Sequence, residues 1–133
     1  KIVADIDEVY DRSQAKTSNN GLQFRFSLLR SLSDPNKVFK IELGVTTPQN
    51  TSNDTVEDYF FSVFPFLFND DEQIIAQQWI KKQLANFPND YGETSIDING
   101  ITLVLLSDQN RKSKKEVLHK SLIIFKTKAK LNK

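Results

Sequence analysis

The sequence predicts an α+β fold. It calls for an antiparallel sheet of about four to five strands, built from a β-hairpin, two helices, a second β-hairpin and a final strand, with the helices packed on one face. Three observations carry this expectation. Leu22, Phe24, Phe26 and Leu28 alternate with polar residues, as do Phe39, Ile41, Leu43 and Val45, which is the period of a half-buried strand. Asn99-Gly100 separates two further apolar runs, and this dipeptide is the strongest short hairpin signal because both positions tolerate positive φ. Between the two strand regions, apolar residues recur at the three-and-four spacing of helices.

Residues 1–20 are read as an N-terminal tether or an edge strand, and residues 21–133 as a single domain. Ile2, Ala4 and Ile6 alternate weakly, and the polar stretch Arg12 to Gly21 ends in the turn signal Asn19-Asn20-Gly21. The first hairpin turns at Ser33-Asp34-Pro35-Asn36, where Asp and Pro favour a type I turn. Residues 46–55 are almost wholly polar and are expected to run over the surface as a linker.

The first helix is expected to start at a capping-box-like pair, Thr55 and Asp58, and to run through the apolar stretch Val56 to Phe68. Residues that are apolar almost all round place this element deep in the fold. Pro65 is expected to kink or end it, since a proline removes a helical hydrogen bond and clashes with the preceding turn. Asn69, with Glu72 three residues on, caps a second helix whose positive end suits Asp70, Asp71 and Glu72. Its apolar face is read as Ile75, Ala76, Trp79, Ile80, Leu84 and Phe87, ending before Pro88. The hairpin around Asn99-Gly100 follows, then a charged loop from Asp108 to Lys115. A last strand lies within Val117–Lys128, its buried centre Ser121 to Phe125.

Composition narrows the function classes. The 133 residues are 38% hydrophobic and 11% aromatic with four Gly and four Pro, which suits one globular domain and excludes a disordered or fibrous chain. No apolar run approaches the about 20 residues that cross a bilayer as a helix. The net charge of +1 conceals a division: residues 111–133 hold nine basic residues and one acid, so residues 1–110 carry −7 and the remainder +8. Zero Cys excludes disulfides, thiolate metal sites and cysteine nucleophiles. The absence of Met and the opening on Lys1 lead us to expect a removed signal peptide or membrane anchor, alongside a simple fragment boundary. Asn50-Thr51-Ser52 and Asn53-Asp54-Thr55 match the glycosylation acceptor pattern, as an Asn-rich chain does by chance.

Ile2-Val3-Ala4-Asp5-Ile6-Asp7 resembles the first motif of haloacid-dehalogenase-type phosphatases, in which an apolar strand delivers a nucleophilic Asp and a second Asp acts as acid/base. Ile101 to Ser107 is similar to that family's second motif, an apolar strand ending in Ser. The Gly-Asp-rich magnesium motif that should follow residue 107 is missing, as are parallel β-α units, so the chain is not assigned to the family. Asp70-Asp71-Glu72 offers hard oxygens, but consecutive acids on a helix cannot all point at one cation. His119, the only histidine, is read as a surface residue in a basic stretch rather than a general base. The four Gly are not clustered as a phosphate loop would need. We therefore expect no enzyme, no metal and no cofactor.

The binding candidates are of two kinds. Phe61, Phe68 and Trp79 belong to an aromatic set too large for one sheet face to cover, which points to a protein partner, self-association or an apolar ligand. Arg111, Lys112, Lys114 and Lys115 form a basic loop, and Lys126 and Lys128 share a face of the last strand. They suit an anionic surface or the protection of a sheet edge. Nucleic acid is disfavoured because no aromatic interleaves the charges. The expected function is a non-catalytic binding domain of an exported, cell-surface-anchored bacterial protein, touching a membrane only through a removed N-terminal anchor. A low-GC bacterial source suits the Lys, Asn, Ile and Phe content. The alternative is a cytoplasmic nucleic-acid-associated protein using residues 111–133.

Overall fold

The structure is a computed structural model. It describes residues 10–19, 22–31, 38–48, 52–87, 92–110 and 117–126. The elements are β1 (Tyr10–Asn19), β2 (Leu22–Ser31), β3 (Val38–Pro48), α1 (Asn53–Phe61), a one-turn 3-10 helix (Phe64–Phe66), α2 (Asp70–Asn86), β4 (Gly92–Ile98), β5 (Ile101–Asn110) and β6 (Val117–Lys126). The sheet has six strands in the order β1-β2-β3-β6-β5-β4, antiparallel at every pairing. Two three-stranded meanders are thus joined through β3 and β6, and the helical segment lies in the connection between them. Five of these strands are those the apolar alternation predicts, and the fold is α+β. The sixth, β1, lies in the segment read as a tether or an edge strand, in its polar part where no apolar alternation marks a strand: an edge strand is held by backbone hydrogen bonds, which need no apolar side chains. The apparent alternation at residues 2–6, the turn at 33–36 and the resemblance at Ile2 to Asp7 lie outside the described residues.

Alternation becomes burial in the central strands. Leu43, Val45 and Thr47 on β3, Leu103, Leu105 and Ser107 on β5, and Leu118, Lys120, Leu122 and Ile124 on β6 are buried, and of the residues between them only Gly44 is buried too. The register aligns them across the sheet, with Val45 opposite Lys120 and Lys120 opposite Ser107. Val56, Phe60, Phe64, Phe68, Ala76, Ile80 and Leu84 from the helical segment join the apolar members of these rows in one core. Tyr59 fastens α1 to the sheet: its hydroxyl donates to the Arg25 carbonyl at 2.6 Å and its ring meets Phe24 edge-on at 5.0 Å. Burial raises the Tyr59 phenol pKa, with the nearby Arg25 charge pulling the other way.

Several boundaries differ from the expected ones for local reasons. β3 continues through Pro48 into the stretch read as a linker, and Thr47 there is buried, because ladder pairing with β6 carries the strand on past its apolar residues. Proline at the last strand position costs no later ladder bond. Helix α1 starts from Ser52, whose hydroxyl accepts from the Asp54 N–H at 3.1 Å, rather than from Thr55. It stops at Phe61, four residues before Pro65, and the chain re-forms one tight turn there with Pro65 at its start. The Asn69–Glu72 capping box is present on α2, with both reciprocal bonds made. Asn99 and Gly100 adopt positive φ (48° and 87°), as the hairpin requires. Asn99 also donates to Glu72 at 2.8 Å, tying this turn to the start of α2.

Candidate functional site

Three places on the molecule carry groups whose surroundings depart from the ordinary. The first is the solvent side of the helical segment. Phe66 is 86% exposed, and Ile74 and Ile75 on the first turns of α2 are about half exposed, at 53% and 49%. Ile75 was expected on the buried face. The helix instead turns Ala76, Ile80 and Leu84 inward, a strict four-residue row that leaves Ile75 with Asp71, Gln78 and Lys82 outside. Phe66 is outward because the 3-10 turn places Phe64 in the core, and two residues on in a three-residue turn is the far side. The exposed carboxylates Asp70 and Asp71 border these apolar side chains along the chain. They also lie at the positive end of the helix, which favours them there.

The second place is the sheet face opposite the core rows. Arg25 on β2 lies flat over Gly44 of β3. A Cβ at Gly44 would come within 2.8 Å of Arg25 Nη2, so the close approach of the guanidinium needs a glycine. From there Arg25 Nη1 donates to Thr46 Oγ1 at 2.7 Å and to Gln23 Oε1 at 3.2 Å. Thr46 Oγ1 lies 2.8 Å from His119 Nδ1 on β6. The threonine hydroxyl, with one donor and two acceptor sites, thus bonds both Arg25 and the His119 ring. Asp108 is opposite His119 on β5. His119 is therefore a half-buried member of a row spanning β2, β3 and β6, not a free surface residue.

The third place is the core side of the same strands. Lys120 is only 7% exposed, between Val45 and Ser107 in register and with Leu118 and Leu122 before and after it on its own face. Among the described residues, no hydrogen bond or ion pair reaches its ammonium. Burial pushes its pKa below the usual lysine range. The other buried charge, Glu57 of α1, is instead paired, with Lys81 Nζ at 3.0 Å from its carboxylate. That hydrogen bond, and then the charge attraction, raise the Lys81 pKa. Lys81 also lies 5.6 Å over the Phe61 ring.

The aromatic candidates separate by depth. Phe68 is 5% exposed and belongs to the core, meeting Phe64 edge-on at 5.6 Å. Phe61 and Trp79 are partly buried and pack against that core. Of the basic candidates, Lys126 is exposed at the end of β6, and Arg111, Lys112, Lys114, Lys115 and Lys128 lie outside the described residues. Among the described residues, no group of three or more His, Asp or Glu is placed to hold a metal ion. No described helix is long and apolar enough to cross a membrane. The sequence pattern does not single out Arg25, Thr46 or Lys120, and it marks Phe66 only as a member of the surplus aromatic set with Phe60, Phe61, Phe64, Phe68 and Trp79. The parity of β6 carried one signal: Leu118, Lys120, Leu122 and Ile124 share a face, so a buried strand centre implies a buried lysine.

Comparison with known proteins returns no match: no family model, no curated protein and no solved structure is significantly similar to this chain.

Proposed function

We propose that this chain is a non-catalytic interaction domain that docks a protein partner through the solvent side of the 3-10 turn and the start of α2. The observation that carries the reading is the exposure of Phe66, Ile74 and Ile75 within ten residues of one another along the chain. Fully burying a side chain as exposed as Phe66 is worth about 1.5–3 kcal/mol, and the half-exposed isoleucines offer about half of that each; aromatic anchors dominate binding energy where they fill a pocket. Asp70 and Asp71 add a charge requirement: the partner surface that fits has an apolar centre with basic residues beside it. The setting we propose is the exterior of the cell, where protease added to intact cells should degrade the protein.

The docking surface is tested by placing a photo-crosslinking residue at Phe66 or Ile74, and at Ser95 on β4 as a control, in the full-length protein in its own cells. A discrete adduct from positions 66 and 74, absent from position 95 and lost when Ile75→Ser is added, is the expected result. An adduct of twice the chain mass identifies the partner as a second copy. Equal labelling from all three positions, or no adduct from any, overturns the proposal. The far-ultraviolet spectrum of Ile75→Ser should match that of the parent, since this residue is outside the core.

A further inference from the structure

We propose that Lys120, with Ser107 and Thr47 beside it, is a binding site for the carboxylate of a small apolar acid. Three polar residues share the core side of β3, β6 and β5 at adjoining register positions, each at least nine-tenths buried: Lys120 is 7% exposed, Thr47 2% and Ser107 1%. Ser107 is directly opposite Lys120 in the β5–β6 ladder, which brings their Cβ atoms to about 5 Å. Thr47 is one step diagonal, being two residues from Val45, the β3 residue opposite Lys120. Among the described residues, neither hydroxyl and no part of the ammonium has a hydrogen-bond partner. Buried polar groups in folded proteins are bonded in the great majority of cases, so three unmatched ones on a single patch call for a complement.

The chemistry of that complement follows from the groups. One ammonium and two hydroxyls offer hydrogen-bond donors around a single positive charge. Water would satisfy the hydroxyls but would leave the charge desolvated and uncompensated, whereas an oxyanion answers both. A monoanion matches the one available charge; a phosphate dianion would bring an excess negative charge into an apolar setting. The neighbours Val45, Leu118 and Leu122 are apolar and buried, which suits an acid whose body is hydrocarbon. Among the described residues the other buried charge, on Glu57, is paired with Lys81. This site is separate from the exposed helical surface, and each can fail without the other.

The test uses the full chain and octanoate, with 1-octanol and inorganic phosphate as comparison probes. Calorimetry at neutral pH should show saturable octanoate binding, and the side-chain resonances of Lys120 should move during the titration. Lys120→Met should weaken octanoate by about tenfold or more, the equivalent of a lost charge-assisted contact, while Lys126→Met, at an exposed position on the same strand, should change nothing. Octanoate that leaves the Lys120 resonances unmoved overturns the proposal. So does 1-octanol binding as well as octanoate, which would make the site merely apolar, or phosphate displacing octanoate at equal concentration, which would make it a general anion site. If Lys120→Met does not fold, the titration of the unaltered chain decides.

Discussion

Thr46 and Thr47 are neighbours on β3, and His119 and Lys120 are neighbours on β6, yet the two sides of the sheet treat them in opposite ways. On one side Thr46 bridges Arg25 and His119, and every member of the row has a partner. On the other, Thr47 and Lys120 are buried without one among the described residues. The residues are of similar chemistry, and only the period-two alternation of the strands separates them. The satisfied row is held at the half-exposed surface, where an imperfect bond can be exchanged for water. The unsatisfied one lies where water is excluded, so any complement it acquires is worth more. Polar groups at the surface of a sheet therefore report on structure, and polar groups in its core rows report on something the fold alone does not supply.

The sharpest way to break this contrast is a pair of alanine substitutions on β6. Leu122 is fully buried and Ile123 is partly buried on the other side. Leu122→Ala should cost about 2–5 kcal/mol, the range for a truncated core leucine. Ile123→Ala should cost about 1 kcal/mol or less, because little area is lost and no enclosed cavity forms. Denaturant midpoints measured on the two variants check this. Equal losses would mean that the face carrying Ile123 is also covered.

Lys120→Met comes next, with the opposite sign. Replacing a buried, unpartnered ammonium with an apolar chain of similar length should stabilise the protein by about 1–3 kcal/mol at neutral pH. The pH dependence follows from linkage. Burial lowers the folded-state pKa of Lys120 below its ordinary 10.5, so between those two values the unfolded chain holds more protons than the folded one. Stability of the unaltered protein should therefore rise with pH through that window, the charge penalty being fully present below it. The rise should vanish in Lys120→Met. Tyr59 acts the other way: its raised pKa gives a contribution that is complete below pH 10 and falls away above it, in both proteins alike. Subtracting the two pH profiles isolates the lysine, and a difference that does not change with pH would show that Lys120 reaches solvent.

The extent to which the sequence announces these features depends on how local their cause is. The β2–β3 and β4–β5 strands are legible because their apolar alternation and the Asn99-Gly100 turn are local properties. The capping box at Asn69 and Glu72 is legible because it spans four residues. β1 is not, since what makes Tyr10–Asn19 a strand is the edge of β2, a feature of the assembled sheet. Pro65 is expected to kink or end helix α1, but the helix ends before reaching it. Its early stop at Phe61, and the outward turn of Phe66, depend on where Phe64 finds the core. The Arg25–Thr46–His119 row joins residues up to 94 positions apart and needs Gly44 beneath the guanidinium, so no window of sequence contains it. Lys120 is the intermediate case. Its parity with Leu118, Leu122 and Ile124 was present in the sequence, but a basic residue within a basic stretch invites a solvent reading that only the register with Val45 and Ser107 overturns.

The smallest expected effect tests the contrast most directly, because it uses adjacent residues and one chemical change. Valine is nearly the same shape as threonine and suits a strand, so each threonine can be stripped of its hydroxyl with little change in packing. Thr46→Val removes the oxygen that accepts from Arg25 and lies 2.8 Å from His119 Nδ1; Arg25 keeps Gln23, while the Thr46–His119 hydrogen bond is lost. A loss of about 0.5–1.5 kcal/mol is expected, the net worth of an ordinary hydrogen bond at a part-buried site. Thr47→Val removes a buried hydroxyl that bonds to nothing among the described residues, so stability should be unchanged or higher. Thermal or urea unfolding of the two variants side by side reads the difference. A loss from Thr47→Val matching that from Thr46→Val would mean that the core hydroxyl already has a partner within the folded chain, and the case for a ligand at Lys120 would lose one of its three groups.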